Sequence, residues 1–246
     1  MSLRNDLSKH QVFLQRLTGT EYKSIMSYLE QLQKTAGKHL DANLADKELK
    51  QALRSVTKGM KDTAIQNMTD FAEYESKFSA KTISKYTEDA LEAVDADKLK
   101  KALTTNNMAV NANVEKGTKK SLDTAYKQFA QRKADEITQV IKDGRVLGLA
   151  ADEIKDSVAA RVLGLQSTQA RSLAATAVNF TTNLARTETL FANKEIVPMV
   201  ICRLGDAFEH TDYCLGVADT VHELGDEPSF PAHYGCVSYT EPYLDE

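Results

Sequence analysis

Proline marks the one sharp division in this chain. All four prolines, Pro198, Pro228, Pro231 and Pro242, lie in the last fifty of 246 residues, and the 197 residues before them contain none. Proline inside a helix removes a backbone hydrogen bond and clashes with the preceding turn, at a cost of about 3 kcal/mol. So long a proline-free stretch, rich in Ala, Lys, Leu, Gln and Glu, is expected to be helical, with a change of structure near residue 196.

Apolar spacing fills in the helices. Tyr22, Ile25, Met26, Leu29, Leu32 and Ala36 recur at intervals of three and four and predict a helix ending near Gly37. Leu49, Leu53, Val56, Met60, Ala64, Phe71, Tyr74 and Phe78 carry such a face further, either as one extended arm or as two helices broken near Gly59. Asn106, Asn107, Asn111 and Asn113 predict a loop or hinge between 103 and 118. Leu122, Tyr126, Phe129, Ala130, Ile137, Val140 and Ile141 predict a helix stopped by the Asp143-Gly144 pair. A short helix with Ile154, Val158, Val162 and Leu163 should end at Gly164, and Ser167 should cap a last long helix through Ala174, Val178, Leu184 and Leu190. Beyond Pro198 the runs 199–204, 220–224 and 237–239 are β-like. The expected fold class is mainly α, with long N-terminal helices and a helical domain ending in a small β-hairpin and turn-rich element (α+β). The expected organisation is an extended helical region, 1–118, and a second domain, 119–246, made of helices to 196 and the β/turn element from 197.

Composition narrows the function classes. Hydrophobic residues at 42 %, charged residues at 27 % and a mean hydropathy of -0.41 describe a soluble globular chain. The longest apolar run, 196–202, falls far short of the roughly 18 residues a membrane-spanning helix needs. No apolar signal segment follows Met1, and an odd count of three cysteines argues against a disulfide-built scaffold, so synthesis in a reducing cytoplasm is expected. The net charge of -4 is unevenly placed: from residue 197 onward one basic residue, Arg203, faces ten acidic ones, whereas the first 196 residues carry 30 basic and 25 acidic. A strongly basic nucleic-acid binder is excluded; partners with opposite demands on the two parts are not.

Residues able to do chemistry crowd into the C-terminal segment. His210 and Cys214 are followed, after eighteen residues, by His233 and Cys236, two N/S pairs that could meet a tetrahedral zinc, with His222 as a substitute for His210. The alternative is packed thiols and a histidine that fixes a turn. Cys202, inside an apolar run, is expected in the core. Cys214 or Cys236 beside His233 could also be read as nucleophile and base, and Asp206 or Asp219 as a carboxylate for a metal nuclease, but ten acidic residues would repel a phosphate backbone. Arg186 and Glu188 sit near the end of the last long helix, where one of them could bond to the C-terminal turns, with ordinary solvated charges as the alternative.

The order of these features resembles a known family. A helix ending in Arg186-Thr187-Glu188 is followed by a strand, then Asp206, Thr211-Asp212-Tyr213-Cys214, Asp219-Thr220-Val221 and Pro231-Ala232-His233-Tyr234-Gly235-Cys236. Over residues 120 to 242 this series is similar to the phage head morphogenesis family, the Mu F-like minor head proteins. The chain keeps Cys214 alone where many members carry two cysteines, one thiolate fewer for a metal. The resemblance implies a non-catalytic structural virion component of a tailed bacteriophage, a minor capsid protein inside the head or at the portal vertex, acting in head assembly or genome delivery. Implied partners are the portal protein, the major capsid or scaffolding protein and packaged double-stranded DNA, with no membrane. Arg186, Glu188, Asp206, Cys214, Asp219, His233 and Cys236 are expected to form a structural clamp of the C-terminal part. No cofactor is expected; a zinc held by His210, Cys214, His233 and Cys236 is the alternative, and with it a zinc-stabilised binding or regulatory module.

Overall fold

A computed structural model describes residues 3–42, 45–106, 108, 120–161, 166–205, 210–232 and 236–244. Seven helices and three strands occur among the described residues: α1 (Leu3–Asp41), α2 (Asp46–Ile83), α3 (Ala96–Thr105), α4 (Leu122–Val146), α5 (Ala151–Ala159), α6 (Gln166–Ala192), β1 (Met199–Arg203), α7 (Asp212–Val217), β2 (Val221–Glu223) and β3 (Tyr239–Pro242). The protein is mainly helical with one small antiparallel sheet at its C-terminal end. No helix among the described residues is long and apolar enough to cross a membrane.

The chain forms two compact units, each assembled from separated stretches on both sides of residue 118: 1–18, 65–122 and 175–246 in the first, 19–64 and 123–174 in the second. Their boundaries fall inside α1, α2 and α6 and after the first residue of α4.

In the second unit, Ile25, Leu29, Leu32 and Ala36 of α1 and Leu49, Leu53 and Met60 of α2 are buried at the predicted helical spacing. Gly37, expected to end its helix, does not, and of the two readings for Gly59 the unbroken arm is the one found. α1 runs through Gly37 to Asp41, and α2 runs unbroken through Gly59. Glycine in a helix costs about 1 kcal/mol relative to alanine, less than burying the next apolar residue returns, and Leu40 and Met60 are both buried.

α4 likewise passes the Asp143-Gly144 pair and ends three residues later than expected. Gly144 is there for packing: a Cβ on it would lie 2.6 Å from Ile154 Cγ1 of α5. The stop is Gly148, at φ 69°, where the Gly148 N–H donates to the Arg145 carbonyl (3.1 Å) and the Leu149 N–H to the Gly144 carbonyl (3.0 Å). That pair of bonds around a left-handed glycine is the Schellman termination. Within this unit the Tyr126 hydroxyl donates to Glu21 Oε1 at 2.7 Å, both residues buried. Burial, reinforced by the Glu21 charge, pushes the Tyr126 phenol well above its ordinary value.

In the first unit the sheet has the order β2-β1-β3, with both neighbours antiparallel to β1. Val200 stands opposite His222 on one side and Pro242 on the other, and Cys202 stands opposite Thr240. The last strand begins at Tyr239, later than the predicted 237–239 run, and includes Pro242. β3 is an edge strand, where a missing N–H can face away from the ladder. One face of the core packs Ala80 and Ile83 of α2 with Leu190, Val197, Val200 and Leu224. A second cluster gathers Cys202, Cys214, Phe230, Ala232 and Cys236. The expected loop from 103 begins later, because α3 continues to Thr105, and its stretch 109–119 lies outside the described residues, as do Val162, Leu163 and Gly164. Ser167 is not the cap of the last long helix, which already includes Gln166.

Candidate functional site

Helix α6 carries a polar stripe through the first unit. Asn179, Asn183, Arg186 and Thr189 follow one another at three or four residues, so they share a helix face, and Asn193 follows just past the helix end. Buried polar groups need partners, and each of these side chains has at least one. Asn179 Nδ2 donates to the carbonyls of Cys236 (2.8 Å) and Ser238 (3.0 Å). Asn183 Nδ2 reaches the Ser238 carbonyl at 3.3 Å, while its Oδ1 accepts from the Thr240 N–H at 3.2 Å. Thr189 Oγ1 lies 2.8 Å from Ser76 Oγ of α2, which also accepts from the Val94 N–H. Asn193 makes a reciprocal pair with the Glu92 backbone, donating to its carbonyl and accepting from its N–H, both at 2.9 Å.

Arg186 occupies the middle of the stripe. Its Nε donates to Glu75 Oε1 of α2 at 2.7 Å, and His10 Nε2 of α1 lies 2.6 Å from the other carboxylate oxygen. All three residues are buried, with Glu75 wholly inaccessible. Burial by itself would push the Glu75 carboxyl up, but the Arg186 charge and the His10 hydrogen bond together outweigh it and hold the carboxyl below its ordinary range. The His10 ring stacks on Phe78 with centroids 3.8 Å apart. Arg186 also places its guanidinium over the Tyr239 ring of β3, 5.6 Å from the centroid, and its two Nη nitrogens make no hydrogen bond to the described residues.

The expected clamp residues thus have specific places. Arg186 lies against β3 through Tyr239 but takes its charge partner from α2. Glu188 pairs with Lys98 of α3 at 3.1 Å, a contact in which the lysine is half exposed. Exposed ion pairs contribute little, so Glu188→Ala should lower stability by under about 1 kcal/mol in denaturant titration; a loss of several would mean the pair is far better shielded than its exposure indicates. Asp219, at φ 57°, pairs with Arg203 of β1, whose Nε also donates to Glu241 Oε1 of β3 at 2.5 Å. Asp206 and His233 lie outside the described residues.

Cys214 and Cys236 are brought together: both are buried, neither is in a disulfide, and their sulfurs are 3.9 Å apart. Cys202 is buried in the same cluster, as expected for a core thiol. Burial raises the Cys202 and Cys236 thiols above their ordinary value, opposite to what a ready nucleophile needs. Of the remaining candidate ligands, His210 is half-buried just before α7, and His222 Nε2 on β2 lies 2.7 Å from Thr220 Oγ1. Among the described residues no group of three or more His, Cys, Asp or Glu side chains is arranged to hold a metal.

Asn179, Asn183, Asn193, Glu75 and His10 were not among the candidates. Asparagine is a poor helix former, so Asn179 and Asn183 at helical spacing inside an otherwise good helix are a readable sign of side chains bonded to backbone. Glu75 stands between Phe71 and Phe78 on an apolar face, which is where a buried, paired carboxylate would stand. No protein-family model, curated protein or solved structure matches this chain.

Proposed function

We propose that this protein is a structural minor head protein of a tailed bacteriophage, acting at or near the portal vertex in head assembly or genome delivery. The observation that carries the reading is the ordered series from Arg186-Thr187-Glu188 through Cys214 and Asp219 to Cys236, which resembles that of the Mu F-like minor head proteins. Two features are compatible with a non-catalytic component. Arg186 and Glu188 of α6 are occupied in pairs with Glu75 and Lys98, and the Cys236 thiol is raised by burial. The acidic stretch from residue 197 suits a protein partner better than DNA, while the more basic remainder tolerates packaged DNA.

A direct test is to follow the full-length chain during particle assembly, by co-sedimentation with heads and by co-purification with portal protein. The expected outcome is incorporation that requires portal; a chain absent from every particle fraction overturns the proposal. Removing residues 1–118 is not a clean alternative, because that stretch supplies His10 and Glu75 to the buried network of the first unit. A zinc-stabilised binding or regulatory module is the second reading, favoured by the approach of Cys214 and Cys236. Stoichiometric zinc in the purified protein, with no incorporation into heads, would support it.

A further inference from the structure

We propose that Cys214 and Cys236 are a dithiol that oxidises to a disulfide, with low-molecular-weight disulfides of the glutathione class as the oxidant. The sulfurs lie 3.9 Å apart, and bond formation at about 2.05 Å asks each to move roughly 1 Å. The two halves differ in freedom. Cys236 is anchored, since its carbonyl accepts from Asn179 Nδ2. Cys214 sits on α7, a six-residue helix capped by Thr211, with Leu215 beside it half exposed. Local opening of a helix this short uncovers the sulfur without disturbing the sheet. Cys202 is the poorer partner although it shares the cluster: it lies on the central strand, opposite Thr240, with its N–H bonded to the Thr220 carbonyl.

The exchange balances without any other reagent. The Cys214 thiolate attacks one sulfur of oxidised glutathione, whose S–S bond breaks to release one glutathione thiolate and leave a mixed disulfide. Cys236 then loses its proton to solvent and attacks the Cys214 sulfur, expelling the second glutathione. Two electrons and two protons leave the protein, and the oxidant becomes two thiols. The product ties α7 to the segment before β3 across 22 residues and constrains the unfolded chain. This inference stands on the geometry of the first unit alone and is independent of any role in a phage head.

The test uses the full-length reduced protein, equilibrated in glutathione buffers of rising oxidation, quenched with acid and mapped by proteolysis without reduction. The expected result is that the three thiols fall to one and that a single cross-link joins residue 214 to residue 236. Cys202→Ser should leave that outcome unchanged, and Cys236→Ser should stop at the glutathione adduct on Cys214. Mapping on the parent protein answers the question even if a variant folds poorly. A cross-link that includes Cys202, adducts that never resolve, three thiols surviving the most oxidising buffer, or stoichiometric zinc held by the reduced chain each overturns the proposal.

Discussion

Glu75→Ala should destabilise the protein by about 3–5 kcal/mol at neutral pH, measured as a shift in the denaturant midpoint. Removing one partner of a buried ion pair strands the other, and the stranded charge sets the cost. Arg186 would then be buried with its Nε as well as both Nη nitrogens unsatisfied, and His10 would lose its partner across 2.6 Å. Arg186→Ala should cost a similar amount, since Glu75 would keep His10 but lose the guanidinium whose charge does most to hold its carboxyl down. The two residues form one network, so the double variant should cost clearly less than the sum of the singles.

The same carboxyl gives a pH dependence of fixed sign. Glu75 has a folded-state value below the ordinary glutamate 4.5. Its contribution is therefore fully present above that value and is lost as pH falls through the depressed folded one. The stability gap between the parent and Glu75→Ala should narrow as pH falls below about 4.5. A Glu75→Ala midpoint within 1 kcal/mol of the parent, or a gap that widens in acid, would sink this account of the network.

The helical body and the C-terminal sheet were legible because both leave local marks: proline excluded from one region and admitted to the other, and apolar residues at helical spacing. What escaped was set by distance or by packing. Arg186 is conspicuous in the sequence, but its partner Glu75 lies 111 residues away, and nothing local couples the two. Gly37 and Gly144 read as stops on propensity alone, yet a penalty of about 1 kcal/mol is small against burial of the side chains around them. Gly148, the glycine that does stop a helix, differs from them in its left-handed backbone rather than in its residue type.

The start of β3 shows the same limit. Residues 237–239 looked strand-like, but the Ser238 carbonyl is taken by Asn179 and Asn183, and pairing with β1 begins at Tyr239. Of the expected clamp, Cys214 and Cys236 do meet, whereas the hold on the C-terminal segment comes from asparagines that carry no charge to attract notice.

That hold yields the second large effect. Asn183→Ala should destabilise the protein by about 1–3 kcal/mol, because it orphans one buried group and weakens the bonding of a second. The Thr240 N–H loses its acceptor and the Ser238 carbonyl loses one of its donors, in a place where each unsatisfied buried group costs about 1–3 kcal/mol. The loss should be local as well as global. Amide exchange at Thr240 should accelerate strongly, while α2 amides near Glu75, held by their own helix, slow or quicken only with the global stability. Asn183→Asp should not rescue the protein: it retains an acceptor for Thr240 but sets a carboxylate against the Ser238 carbonyl and against Asn179 Oδ1, both of which Asn183 Nδ2 now approaches as a donor. Asn179→Ala should loosen the same segment from its other end, through the carbonyls of Cys236 and Ser238. If Thr240 exchanges at the parental rate in Asn183→Ala, β3 is held by its pairing with β1 alone and the asparagine stripe is not what fastens it to α6.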